Sequence, residues 1–427
     1  MPQRFNYDLS HFSFMCGNMG RLQTLSVIPV VAGDSFAVSV DGIFRLSPLR
    51  RNLTVDALVD VFAFYVPHRH VYGDDWIDFI KQGIDESITF ATIDLSTSVV
   101  HYLGAPTLTG EIPKWLVTGY NRIWNRYFRA PTDVSGELSD TAFSDGNNDT
   151  RLYGRLIGRP KRLWSTGINA TVDASDREVT VSSNQLDILD LAQIQARYRT
   201  EQQRDWFGQY YDGILKEGWG SGVNVDADER ATLIMRKQNS LSGYDVDGTD
   251  NASLGTFSGK VAGRCGLQFP RRFFPEHGAL WIVASVRFPT IAERELHYLF
   301  KRPQPTYKEI SGDPAIWSAE PPMAIQVQDF FTETTSSVSL GTIPYGQWYR
   351  EHPSIVHKNF DALDGFTFVR GIPGSHDQAR YHKSTEYESV FQSDQLGEWQ
   401  AQCHIGIDAL RVIPGPLKSI FAGATDQ

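Results

Sequence analysis

The hydrophobic positions of the chain predict β-strands near both of its ends. Apolar residues recur in short β-branched or alternating runs, and residues 55–66 form the strongest of these runs. Pro67 ends that run, because proline has no N–H to contribute to a strand ladder. The first run ends in the turn residues Ala32-Gly33-Asp34. Strands are predicted at residues 22–31, 36–40, 55–66, 279–288 and 403–413.

The middle of the chain has helical periodicity instead, with apolar residues recurring every three to four positions. The clearest predicted helix begins with Pro113, which suits the first helical position, and stops at Ala130-Pro131. Polar, glycine-rich stretches between the periodic segments predict loops. Helices are predicted over residues 74–82, 113–129 and 185–215, the last as a pair.

Strands at the two ends, with helices and long loops between them, predict a mainly β protein, because the regular β–α alternation of a doubly wound sheet is absent. Antiparallel strands in a sandwich or jelly roll fit this order. Length alone favours about three domains, and one large β domain with insertions fits equally well. In the single-domain interpretation, residues 1–427 form one unit with helical insertions at roughly 74–175 and 184–275 and a loop-rich stretch at 301–400.

Composition narrows the class of protein further. Of 427 residues, 41% are hydrophobic, which is enough for a packed core, and the aromatic share of 12% with 36 Gly and 21 Pro favours buried or interface-forming loops. The net charge of −10 argues against a free-standing nucleic-acid binder. The longest apolar run lies near residues 280–286 and is far shorter than the ~20 residues that cross a bilayer. The first residues contain no apolar signal segment, so a cytosolic location is expected.

No catalytic motif is recognisable, and the sequence predicts no enzymatic activity. Cys16, Cys265 and Cys403 are odd in number and widely spaced, which predicts neither a disulfide framework nor a metal knuckle. His68 and His70 fall on one face of a predicted strand end. Two interpretations stay open for them: half of a transition-metal site, or histidines that bond locally or contact another subunit.

Three carboxylates, those of Asp245, Asp247 and Asp250, fall within six residues. Oxygen-rich loops of this kind hold Ca²⁺, although the glycine is in the fourth position here and Thr256 replaces the glutamate that ends an EF-hand loop. A carboxylate-rich turn and a weak divalent-cation site therefore both remain open. No other cofactor is indicated.

Some arginines have aromatic neighbours in the sequence. Arg271 and Arg272 precede Phe273 and Phe274, and Arg204 lies near two tyrosines, a tryptophan and a phenylalanine. Cation plus ring is the chemistry of sequence-independent single-strand binding, in which phosphate is neutralised and the base is stacked. Core or interface packing explains the same composition. Arg21 belongs to this group only by its place after a glycine-rich N-terminal stretch.

Several segments resemble the major capsid protein of phiX-type microviruses, small icosahedral phages with single-stranded DNA. The longest are FYVPHRHVYG at 64–73 and SGYDVDGTD at 242–250, too long to match by chance. Shorter ones run in the same order along the chain, among them DLSH at 8–11, AGDSF at 32–36, RLSPLRR at 45–51, PEHG at 275–278 and GQWYR at 346–350.

This resemblance implies one eight-stranded antiparallel jelly roll with very long insertions, without catalytic activity. It implies assembly through pentamers into a sixty-copy T=1 shell around single-stranded DNA, formed in the host cytoplasm. The implied partners are a spike protein, internal and external scaffolding proteins, a DNA pilot protein, a small basic packaging protein and host lipopolysaccharide. On this view Arg21, Arg204, Arg271 and Arg272 are expected to face the particle interior and touch DNA or the packaging protein.

A second interpretation starts from the abundant tryptophans and acidic residues, which also suit a carbohydrate-binding or carbohydrate-active β protein. Sedimentation separates the two, since a hydrolase stays small and turns over a glycoside, whereas a shell protein forms large particles.

Overall fold

The fold is known from a computed structural model. It describes residues 4–49, 56–82, 90–94, 103, 111–128, 231–243, 246–247, 256–257, 260–288, 291–292, 296–301, 304–312, 323–330, 337, 339–343, 345–350, 352, 369–370, 391 and 397–412.

Within these residues, nine strands form the two main sheets, and both sheets are antiparallel. They are β1 (Phe5–Asp8), β2 (His11–Gly17), β3 (Gln23–Val30), β4 (Ser35–Leu46), β5 (Ala57–Pro67), β8 (Thr232–Leu241), β11 (Ala262–Phe273), β12 (Gly278–Arg287) and β17 (Trp399–Arg411). Sheet 1 has the order β2-β17-β4-β11, with β1 also paired to β17, and sheet 2 has the order β3-β12-β5-β8.

The other described strands and helices are short, apart from two longer helices. Small strands pair as β6 (Thr92–Asp94) with β7 (Glu111–Pro113), β9 (Val246–Asp247) with β10 (Thr256–Phe257), β13 (Ile291–Ala292) with β16 (Val369–Arg370), and β14 (Met323–Gln326) with β15 (Ser339–Ile343). The described helices are α1 (His68–Tyr72), α2 (Asp74–Gln82), α3 (Lys114–Tyr127), α4 (Tyr307–Ile310) and α5 (Val327–Phe330), with 3₁₀ turns at Tyr298–Lys301 and Gln347–Tyr349.

The main core lies between the two sheets. Alternate residues of β4 and β17 point into it, among them Phe36, Phe44 and Trp399, each fully buried. The open edges of the sandwich are bridged by side chains: the Ser13 hydroxyl donates to the Leu25 carbonyl at 2.7 Å, and the Asn239 amide donates to the Arg264 carbonyl. Such bridges protect edge strands from pairing with other chains.

The two central strands of sheet 2, β5 and β12, are buried on both faces, whereas the edge strand β8 is exposed over residues 235–240. All ten residues of β12 are buried, and helix α3 covers its outer side with Tyr120, Ile123 and Trp124. Gly119 allows this close approach, because a Cβ there would lie 2.9 Å from the Trp281 ring. The sequence of β12 is therefore a nearly continuous hydrophobic run rather than an alternation of apolar and polar residues.

A charged group is buried at one end of the same outer side. The Asp60 carboxylate, fully buried, accepts hydrogen bonds from Arg236 at 2.7 and 3.0 Å and from Arg287 at 3.0 Å. The Arg287 side chain is 2% exposed. One carboxylate thus binds two guanidinium groups that come from the strands on either side of it.

The five predicted strands are all present as β3, β4, β5, β12 and β17, and β4 and β17 are longer than predicted. The predicted helix over residues 74–82 is confirmed as α2, and the helix predicted over 113–129 is observed as α3, with Pro113 just before it rather than at its first position. Helices predicted over 185–215 lie outside the described residues. The range 184–275 is not purely an insertion, because β8 and β11 within it belong to the two main sheets.

Candidate functional site

The outer side of sheet 1, which faces away from the core, is less covered than the inner side, and we call it the open face. Along β2, β4, β11 and β17 the side chains that do not enter the core are exposed, in strict alternation over most of each strand. Exposed aromatics lie at one edge: Phe12 and Phe14, 64% and 72% exposed, stack with ring centroids 6.5 Å apart. The His404 ring lies 4.9 Å from Phe12. The open face therefore presents flat rings to solvent.

Cations lie on other strands of the same face, β4 and β11. Arg45 and Arg264 are exposed, and the Arg264 guanidinium makes two hydrogen bonds to the Asp41 carboxylate. That hydrogen-bonded guanidinium holds the pKa of Asp41 below its ordinary value. On β11, at the opposite edge of the sheet from β2, the exposed Phe273 ring lies under the Arg4 guanidinium at 5.3 Å. The cation-plus-ring combination expected from the sequence is present, in a different place and with partly different residues.

A shallow polar cavity of about 430 Å³ lies beside the rings. Its floor is Gly406, where the outward position of β17 has no side chain, and its walls include Asp8, Ser39, Gln268 and Asp408. Hydrogen bonds from Ser10 lower the pKa of Asp8. The cavity therefore offers amide, hydroxyl and carboxylate groups next to an aromatic surface.

The sequence-predicted arginines are separated by the fold. A register shift between Phe269 and Arg272 places Arg271 over the open face, where its guanidinium contacts the Asp408 carboxylate at 2.5 Å. Arg272 is exposed and is the register partner of the core residue Phe36. Arg21 is buried, with 6% exposed, in the turn before β3, and Arg204 lies outside the described residues.

The aromatic neighbours predicted for Arg271 and Arg272 also differ in role. Phe273 is half exposed on the open face, whereas Phe274 is buried and packs on Phe36 and Tyr65 at 5.4 and 4.8 Å. The rings of Phe12 and Phe14 were not predicted as site residues. The alternation of Phe12 and Phe14 with His11 and Ser13 predicts a strand whose rings face the core, and the structure exposes these rings instead, so the sequence carries no signal for them as site residues.

The candidate cation loop is only partly described. Asp247 lies in the short strand β9, opposite Thr256, whereas Asp245 and Asp250 lie outside the described residues. Within the part of the chain that the structure describes, no group of three His, Cys, Asp or Glu side chains is placed to hold a metal ion.

The two histidines after Pro67 lie in a helix, which corrects the expectation that they share one face of a strand end. In helix α1 residues two positions apart point in different directions. The His68 ring packs against Trp76 at 4.9 Å and Trp115 at 5.3 Å, and burial, with a smaller effect of His277, lowers its pKa to about 4. This environment supports local packing of a neutral imidazole.

The three cysteines of the chain lie on or beneath the open face. Cys16 is exposed on the open face, whereas Cys265 and Cys403 are fully buried beneath it on the two strands that flank Gly42. Burial raises the pKa of the Cys265 thiol to about 11 and that of the Cys403 thiol to about 12. Cys16 is therefore a selective chemical handle on the open face.

None of the helices in the described ranges is long and apolar enough to span a bilayer.

Comparison of the sequence with known proteins shows the family of this chain. The sequence matches the family described as capsid protein (F protein) over residues 1–182 and 169–421. It is 39% identical to capsid protein F of Escherichia phage G4 over 421 residues, which cover 98% of this chain and 97% of that protein. Capsid protein F of Enterobacteria phage phiK is 39% identical, with 97% and 96% covered, and that of Escherichia phage alpha3 is 38% identical over the same shares.

The expected resemblance is therefore confirmed over almost the whole chain, and the mainly β architecture with two antiparallel sheets agrees with it. The chain belongs to the phage F capsid protein family.

Proposed function

We propose that this chain is the major shell protein of a phage particle. It assembles through pentamers into a sixty-copy icosahedral shell around single-stranded DNA, without enzymatic activity of its own. The observation that carries the proposal is the asymmetry of the sandwich: the central strands β5 and β12 of sheet 2 are covered on both sides, while the open face of sheet 1 exposes stacked rings and arginines. A shell subunit needs such a difference between its two sides.

The strand order supports an eight-stranded jelly roll. If β1 and β2 count as one strand, successive strands alternate between the sheets from β2 to β5, and the orders β2-β17-β4-β11 and β3-β12-β5-β8 result. Hydrogen bonds join β1 and β2 along β17, since Leu9 N donates to the Ile407 carbonyl and Ile407 N donates to the Ser10 hydroxyl. Two Greek keys wound together give this arrangement.

The open face is the proposed contact with DNA or a basic packaging protein. Aromatic stacking contributes about 1–3 kcal/mol per base in single-strand binding and does not depend on base identity. Phe12, Phe14 and His404 supply rings, Arg45 and Arg271 supply cations, and the cavity at Gly406 offers polar groups. Arg21, Arg204 and Arg272 remain part of this proposal. Arg21 is buried, Arg204 lies outside the described residues, and Arg272 is the register partner of the core residue Phe36.

Replacing Phe12, Phe14 and Arg271 together by Ala is expected to reduce the fraction of DNA-filled particles strongly, while empty shells still assemble. The loss follows from removing two stacking rings and one phosphate partner per subunit. Particles produced with the other phage proteins are separated on a density gradient and their DNA is quantified. In parallel, Cys16 alkylation is measured, and it is expected to be slower in filled than in empty wild-type particles.

The matched control replaces an apolar and a basic residue elsewhere, Met235→Ala with Lys237→Ala on the exposed part of β8. Normal DNA content in the triple variant, and in a variant with Arg21, Arg204, Arg271 and Arg272 all replaced by Ala, would show that the open face does not contact the genome. Loss of empty shells as well would show that it serves assembly instead.

A divalent cation, Ca²⁺ in particular, is proposed at Asp245, Asp247 and Asp250. Chelation is then expected to lower the melting temperature of wild-type particles, because a ligand that binds only the folded state stabilises it by mass action. Particles with Asp→Asn at all three positions serve as the comparison and are expected to melt at one temperature with and without chelator. An equal response of both particles would contradict the site.

The remaining partners are proposed from the family: a spike protein, internal and external scaffolding proteins, a DNA pilot protein and host lipopolysaccharide, with assembly in the host cytoplasm. A small basic packaging protein would explain how a shell subunit with a net charge of −10 encloses DNA.

A further inference from the structure

Three short segments of the insertion between β12 and β17 form one compact aromatic unit. Trp348, 5% exposed, lies at its centre, with Tyr298 at 4.9 Å and Tyr345 at 5.4 Å between ring centroids. The buried Glu309 carboxylate accepts hydrogen bonds from the hydroxyls of Tyr345 at 3.4 Å and Tyr349 at 3.3 Å. These contacts hold helix α4 and the two 3₁₀ turns together.

The outside of this unit is apolar and basic. Its exposed apolar side chains are Phe300 (71%), Tyr307 (79%), Ile310 (67%) and Tyr349 (48%). Lys301, Lys308 and Arg350 are exposed beside them. Within the described residues of these three segments, the only carboxylate is that of Glu309, which is buried. We call the exposed side chains of this unit, Phe300, Lys301, Tyr307, Lys308, Ile310, Tyr349 and Arg350, the basic aromatic patch; several large apolar side chains exposed on one packed unit are typical of interaction sites.

Helix α2, in the other long insertion, has the complementary character. Asp74, Asp75 and Asp78 are exposed, and Lys81, 3.9 Å from Asp78, is the one basic residue of the helix. Ile80, 54% exposed, adds an apolar group. Trp76 joins the helix to helix α1 and to the turn between β11 and β12, because its ring packs on His68 at 4.9 Å and on His277 at 6.0 Å between ring centroids.

We infer that the basic aromatic patch of one subunit binds the acidic face of helix α2 on a second copy of this chain. Opposite charge favours this pairing and disfavours the pairing of two identical patches. Because the two surfaces lie on different insertions, the contact is head to tail, and a repeated head-to-tail contact closes into a ring when its rotation permits. The inference rests on the proposed shell assembly and names two surfaces that carry it.

Charge reversal tests the pairing. Lys301→Glu with Lys308→Glu places acid against acid, and Asp75→Lys with Asp78→Lys places base against base. Each pair of substitutions is expected to lower the yield of sedimenting particles about tenfold or more, because like charges at an interface repel and the contact recurs in every subunit. Combining all four substitutions in one chain restores opposite charge and is expected to restore the yield, which also shows that the variants fold. Lys237→Glu with Lys260→Glu, at exposed lysines outside the patch, is the control.

Four results would overturn the inference. Normal particle yield in both reversed variants would remove the pairing and leave the shell assignment intact. Low yield without recovery in the combined variant would show that the two surfaces meet different partners. Normal empty shells with lost DNA in the lysine variant would show that the patch binds nucleic acid. Absence of particles from the wild-type chain expressed with the other phage genes would overturn the proposed shell assembly, and this inference with it.

Discussion

Replacing Asp60 by Asn is expected to destabilise the folded chain by about 3–5 kcal/mol, because removal of one member of a buried charged group leaves its partners uncompensated. The carboxylate is fully buried and bonds to both Arg236 and Arg287, and the Arg287 side chain is only 2% exposed. The measurement is the urea midpoint of the unassembled protein, followed by tryptophan fluorescence, at constant slope.

The control for this substitution is Asp408→Asn, which removes the same kind of contact at the surface. Asp408 and Arg271 are 51% and 40% exposed, so their pairing contributes about 0–1 kcal/mol. If both variants lose the same small amount of stability, burial does not determine the effect and the Asp60 group is not essential to the fold.

Replacing Gly42 by Ala is expected to cost about 1–3 kcal/mol, the usual range for overpacking a tight core. A Cβ at this position would lie 2.8 Å from the Cys403 sulfur and 2.8 Å from the Phe44 ring, closer than such atoms approach. The measurement is again the urea midpoint, read alongside the rate at which a thiol reagent modifies the two buried cysteines.

The second substitution Cys403→Ala separates this clash from a backbone effect. It removes the sulfur, so the loss caused by Gly42→Ala is expected to be smaller in a Cys403→Ala background than in the wild type. A loss of the same size in both backgrounds would show that the sulfur contact is not the cause, since independent sites add.

The strongest strands were predictable because their pattern is local. Residues 55–66 and 279–288 are apolar enough to be strands in almost any surroundings, and Pro67 does end β5. Strands β8 and β11 were missed for opposite reasons. Six consecutive residues of β8 are exposed, so it has no periodicity to detect, while β11 alternates Cys265, Leu267 and Phe269 but is interrupted by Gly266 and Pro270.

The candidate site was predictable only in its chemistry. Rings beside arginines were expected near residue 271, and the structure has such pairs, but Arg4 with Phe273 joins residues that are far apart in the sequence. A register shift of β11 decides that Arg271 lies over the open face, and burial of Phe274 removes one predicted ring from it. Neither event has a signal within a few residues.

By itself, the sequence determined what depends on neighbouring residues and on composition: where the chain extends, where proline and glycine end an element, and that there is enough apolar material for a core. The long segments at 64–73 and 242–250 also indicated the capsid family by resemblance. Only the tertiary structure decided which faces are covered, because burial depends on contacts between residues hundreds of positions apart. Those contacts bury the central strands β5 and β12 of sheet 2 on both sides, leave the open face of sheet 1 exposed, and place Asp60 between two arginines.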